Sequence, residues 1–103
     1  MLIHMMKKLI LTVATVALVA LMAASPAGAS CYADYKAKLD SPLRLHYGVI
    51  ELPDTACTKQ AAKAQIAQRL RVDGWKLLNI LSIFDAGGLE ERKDSAGQYF
   101  LRY

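Results

Sequence analysis

The feature that most limits what this chain can fold into lies at its start. From Leu9 to Ala24 the sequence reads LILTVATVALVALMAA, without a charge. Lys7 and Lys8 precede the run, and Pro26 and the small residues Ala27-Gly28-Ala29 follow it. A basic end, an apolar stretch and a small-residue site are the three parts of a secretory signal peptide. The run is roughly 16 residues, short of the ~20 that cross a bilayer core. Cleavage is expected between Ala29 and Ser30, with a retained anchor as the alternative. Met1 to His4 reads as an over-extended start, because Met6-Lys7-Lys8 opens an ordinary signal. Residues 1–29 are thus assigned to the signal, and folding falls to a chain of about 74 residues, a size at which one core is marginal and staples help.

The address that follows is periplasmic or secreted, with the membrane met only through the transient signal. A lipoprotein signal also ends before a cysteine, and Ala29 and Ser30 suit one. Its pattern asks for a Leu-like residue three places before the cysteine, where this chain has Gly28, so plain cleavage is favoured over lipidation of Cys31. Without Lys7 and Lys8, eleven basic residues face nine acidic ones. That small surplus carries no nucleic-acid signature.

Cys31 and Cys57 are the only cysteines. In an oxidising compartment they admit one intramolecular bridge. It would close a loop of about 25 residues, worth roughly 3 kcal/mol in the chain-entropy account. Free thiols and a bridge between two chains stay open as alternatives. So does a reactive Cys57 near a helix N-terminus, although no C-x-x-C motif or evident base accompanies it. Two cysteines and His46 make too few ligands for a zinc site.

Cys31 to Pro42 is mixed and polar and reads as a lead-in (residues 30–42) tethered by its cysteine. Leu43 to Leu52 is rich in β-branched and aromatic residues and predicts a strand. Its face of Leu43, Leu45, Tyr47 and Val49 is more uniformly apolar than that of Arg44, His46, Gly48, Ile50 and Leu52, and is expected to meet the core. Pro53-Asp54-Thr55 carries helix-start signals, with Asp54 or Thr55 as N-cap. The helix from Ala56 to about Val72 buries Ala62, Ile66 and Leu70 and ends at Gly74 in a left-handed C-cap. Its basic residues, Lys59, Lys63 and Arg69, read as a solvated face.

Trp75 to Phe84 (WKLLNILSIF) is apolar on both alternating faces and predicts a strand buried on both sides. Asp85 to Gly97 reads as a long polar hairpin loop and Gln98 to Tyr103 as a closing strand. The helix crossover makes the first two strands parallel, and placing the closing strand between them gives three antiparallel strands. The fold class is α+β: a βαββ domain over residues 43–103, with one helix on one face of a three-stranded antiparallel sheet.

One helix leaves the second sheet face open. An apolar patch of that size is unusual on a soluble monomer. Its expected cover is a second copy of the chain, the lead-in, or a ligand. Trp75, Leu77, Leu81 and Ile83, with the loop residues Glu90, Glu91 and Arg92, form the candidate contact surface.

Gly74, Trp75 and Leu77, in VDGWKLLNILSIF, and the closing GQYFLRY resemble a family of short bacterial domains of unknown function. Those domains run strand, helix ending in Gly, G-W-x-L strand and final aromatic strand, and the likeness spans roughly residues 43–103. The layout also resembles dodecins, small βαββ flavin-binding oligomers, which GVIEL near the first strand suits, and exported βαββ stress and biofilm proteins of enteric bacteria. The first likeness implies a fold without an activity. The second implies a small-ligand carrier, and the third an exported module.

No convergent catalytic set is legible. His46 is the one histidine after the signal and has no acidic neighbour in sequence. Glu90 and Glu91 beside Arg92 and Lys93 read as mutually neutralising charge. No nucleophile elbow, zinc-protease, phosphate-loop or haem motif is present. Trp75 reads as a core anchor, and no cofactor or metal is expected. The functional expectation is a small exported, non-enzymatic interaction or structural module that self-associates or binds an envelope partner. The alternative is a small-ligand, dodecin-like carrier using the apolar sheet face.

Overall fold

The computed structural model describes residues 30–103. The expected signal and its cut after Ala29 lie outside the described residues, apart from Ser30 itself. Three strands and two α-helices follow in the order β1 (Cys31–Leu39), β2 (Arg44–Leu52), α1 (Lys59–Leu70), β3 (Lys76–Phe84) and α2 (Glu90–Ala96). The strands form one sheet in the order β2-β1-β3, with both pairings antiparallel. The class is α+β, as expected, with two helices where the sequence suggested one.

The lead-in is the first correction. Cys31 to Leu39 is not a lead-in but the central strand of the sheet. Its odd residues Cys31, Ala33, Tyr35 and Ala37 are buried beneath the core, and a tight turn through Ser41-Pro42 hands the chain to β2. Because β1 is antiparallel to both neighbours, β2 and β3 run parallel and are joined by the α1 crossover, as the crossover rule requires. The strand between them is β1 rather than the C-terminal segment. Residues 98–103 form no regular strand and contribute one isolated parallel bridge, Val49 with Phe100.

β2 also turns its other face inward. Pairing puts Gly48 opposite Tyr35, Ile50 opposite Ala33 and Leu52 opposite Cys31, so these residues share the core side. Leu43 and Leu45 are exposed, whereas Ile50, Leu52 and His46 are buried. Register decides this, since a one-residue change of phase exchanges every side chain between faces. Tyr35 lies over Gly48 so closely that a Cβ there would meet its ring.

α1 starts at a Thr58 N-cap, whose hydroxyl accepts from the Ala61 N–H, later than the Asp54 or Thr55 expected. A single 3-10 turn occupies residues 54–56 instead. Ala62, Ile66 and Leu70 are buried at i, i+4 and i+8, as their spacing predicts. Gly74 takes the left-handed conformation (φ 80°) that stops the helix. The Cys31–Cys57 disulfide forms, with Cα atoms 6.0 Å apart, and clips the first residue of the central strand to the segment before α1.

β3 is an edge strand, not one buried on both sides. Its pairing with β1 skips Leu81 and Leu78, two bulges that push these leucines outward, to 40% and 48% exposure. The expected polar loop after β3 contains a 3-10 turn at residues 86–88 and then α2, which packs on the second sheet face against β2. That face is therefore partly covered by the chain itself.

Candidate functional site

Three constellations arise from this fold. The first runs along the outer edge of the sheet, where α1 lies beside β3. Lys59, Lys63, Ala67 and Arg71 recur every four residues and so stand in one row on the α1 surface. They line two grooves of about 230 and 280 Å³ that share Lys63 and Leu77. The floor is Leu77, Leu78, Ile80 and the edge of Trp75, and Lys76 stands at one end. Among the residues lining the two grooves there are four cations and no carboxylate. Asp40, exposed to water, pairs with Lys76 at 3.7 Å and Lys38 at 3.4 Å, contacts worth little individually. Past this groove the β3 edge has no strand beside it among the described residues.

The second constellation is aromatic and sits at the other side of the core face. His46 is 6% exposed; its ring stacks on Tyr99 at 3.7 Å and meets the Trp75 ring edge-on at 4.2 Å. Its Nε2 shares a 2.9 Å hydrogen bond with the Tyr35 hydroxyl, and Nδ1 is buried without a partner. Burial first, and the Arg102 guanidinium second, pull His46 from its ordinary 6.5 down to about 4, so the ring is neutral at pH 7. Burial, and then the adjacent Tyr103 and Tyr99 hydroxyls, hold the Tyr35 phenol protonated well above its usual range. Tyr103 donates to Asp73 at 2.8 Å, and Arg44 and Arg102 lie over the rim aromatics.

The third lies on the opposite sheet face, beneath α2. Asp34, buried on β1, accepts from Tyr47 (2.8 Å), Ser82 (2.6 Å) and Arg92 Nε (3.1 Å). Burial alone would raise its carboxyl, but the Ser82, Tyr47 and Arg92 hydrogen bonds together outweigh it and hold Asp34 below its ordinary range. Arg92 also lies over the Phe84 ring at 3.9 Å and donates to the Gly88 carbonyl. A carboxylate whose acceptor sites are occupied by three donors orients α2 and has little room for a substrate. Among the described residues no group of three His, Cys, Asp or Glu side chains is arranged to hold a metal ion.

The predicted contact residues do not share one surface. Trp75 is 5% exposed and belongs to the core with the half-buried Leu77 and Ile83; Leu81 is exposed at the bulge. Glu90 and Glu91 are exposed on α2, and Arg92 turns inward to Asp34. Of this set Leu77 and the edge of Trp75 line the basic groove. Lys59 and Lys63 read from sequence as part of a solvated face, although their spacing of four, continued by Ala67 and Arg71, is the signal that they form a single row. Comparison with protein-family models, curated proteins and solved structures finds no match. No helix among the described residues is long and apolar enough to cross a membrane, and the disulfide is compatible with an oxidising, exported location.

Proposed function

We propose that this protein is an exported, non-enzymatic interaction module that takes an extended acidic segment of an envelope protein along the groove between α1 and β3. The observation that carries the reading is the run of Lys59, Lys63, Arg71 and Lys76 over an apolar floor, beside a sheet edge that pairs with no further strand among the described residues. Carboxylates of the guest would meet the cationic row while its apolar side chains reach Leu77, Leu78 and Ile80. Strand bulges and lysines also blunt an edge against self-pairing, which favours a partner of complementary charge over a second copy. Two copies joined antiparallel through β3 would face Lys59 and Lys63 toward the same residues of the other. The carrier reading draws less support: three surface grooves among the described residues hold about 190 to 280 Å³, smaller than the ~300–1,000 Å³ usual for small-molecule sites.

The test is binding of a synthetic peptide of alternating Glu and Val to residues 30–103, followed by fluorescence anisotropy at several salt concentrations. The expected result is salt-sensitive binding that weakens at least tenfold in Lys63→Glu/Arg71→Glu. Light scattering on the same samples reports mass. Binding indifferent to the charge reversal, or a stable dimer crosslinked through position 78, would overturn the proposal.

A further inference from the structure

The two edges of the sheet are treated differently. The β3 edge is open, whereas residues 97–103 run along β2 as a strap. The strap's backbone hold on β2 is slight: the Phe100 bridge to Val49 and the Leu101 N–H donating to the Val49 carbonyl at 2.8 Å. Gly97 (φ 54°) opens it, and Leu101 holds φ 56°, a left-handed conformation that costs a non-glycine residue about 1 kcal/mol or more. What keeps the strap down is its side chains on the core face. Tyr99 covers His46, and Tyr103 reaches Asp73.

We propose that residues 97–103 are an acid-released latch: protonation of His46 beneath Tyr99 loosens the strap from the β2 edge. The groups that face His46 set the sign. From β1 the Tyr35 hydroxyl bonds Nε2, and from β2 Arg44 lies over the neighbouring Trp75. The strap brings Tyr99, Tyr103 and the Arg102 cation, and the turn before β3 brings Asp73, engaged by Tyr103. No carboxylate touches the ring to welcome a proton. Whichever nitrogen carries the hydrogen in the neutral ring, Nδ1 has no protein partner, so water gained on opening would satisfy it. The imidazolium would be stabilised in part by the Tyr99 and Trp75 rings, but burial and the Arg102 cation act against it. The Ser82, Tyr47 and Arg92 hydrogen bonds hold the Asp34 carboxyl below its ordinary range, so the anchor of α2 gives up its charge later in acid than a free aspartate would.

Hydrogen exchange of residues 30–103, corrected for intrinsic rate, at pH 7 and near pH 4 tests this, with Trp75 fluorescence read in parallel. The expected result is at least a tenfold loss of protection at Leu101 while the central-strand amides of β1 stay protected, with quenching of Trp75 by the imidazolium. His46→Gln should abolish the pH response. Should that variant not fold, Arg102→Glu, on the surface, should move the transition to higher pH by removing a cation that opposes His46 protonation. Equal loss of protection in the strap and β1, or protection at Leu101 independent of pH, would overturn the latch; so would a transition that Arg102→Glu leaves in place.

Discussion

Gly48 and Tyr35 face each other across the β1–β2 pair, and the absence of a side chain at one makes room for the ring of the other. A Cβ at Gly48 would lie 2.8 Å from Tyr35 Cε1 and closer still to its hydroxyl, a gap no rigid ring in a packed core can open cheaply. Gly48→Ala should therefore cost about 1–3 kcal/mol, measured by urea denaturation, and should disturb the His46 cluster through Tyr35. Asp34 makes a separate case. Asp34→Ala removes the acceptor shared by Tyr47, Ser82 and Arg92 Nε, while Arg92 keeps its exposed pair with Glu91 at 2.7 Å, and should cost about 1–3 kcal/mol. Its charge is present at neutral pH and is lost only as pH falls through a carboxyl already below 3.8. His46 acts earlier. Because the unfolded ring titrates near 6.5 and the native one at about 4, the unfolded chain binds more protons between these values. Stability should thus fall as pH drops from 6.5 toward 4. Urea midpoints across that window should show the slope in the native sequence and its loss in His46→Gln.

Among the elements, the disulfide and the edge strand make opposite predictions. The bridge joins residues separated by 26 positions and holds the start of the central strand to the crossover. Replacing both cysteines by serine should lower unfolding free energy by about 3 kcal/mol, read from denaturant curves with and without reductant. The bulged leucines of β3 contribute far less to folding. Leu78→Ser and Leu81→Ser should leave stability within about 0.5 kcal/mol, because each already meets water, yet Leu78→Ser should weaken peptide capture in the groove. α2 behaves differently again. Its seven residues have no apolar stripe, and its stability comes from Ala96, from Arg92 on Asp34, and from the sheet beneath.

Over the whole molecule, an asymmetry of edges organises the proposals: one edge lined with cations and open, the other closed by the chain's own last residues. Deleting residues 98–103 should expose Trp75 and His46, shift Trp75 emission to the red and promote association through β2, all visible by fluorescence and light scattering. The export reading is tested by intact mass from a periplasmic extract, where a chain beginning at Ser30 and lighter by two hydrogens than its reduced form is expected.

Much of this was legible before any coordinates. The α1 core stripe, the left-handed stop at Gly74, the strand propensity of Leu43–Leu52 and Trp75–Phe84, the parallel relation of those two strands and the single possible disulfide all follow from local spacing and chain chirality. The central strand reads from sequence as a lead-in; its one local sign is the alternation of Cys31, Ala33, Tyr35, Ala37 and Leu39 against Tyr32, Asp34, Lys36 and Lys38. Alanine, lysine and aspartate are poor strand formers, however, and here packing between two neighbours overrides that preference. Only the tertiary structure decided which segment lies between β2 and β3, which face of β2 is inside, and where α2 rests. Each depends on groups far apart in sequence, as with Arg92 and Asp34, and a local pattern cannot record a contact whose partner is supplied by another part of the chain.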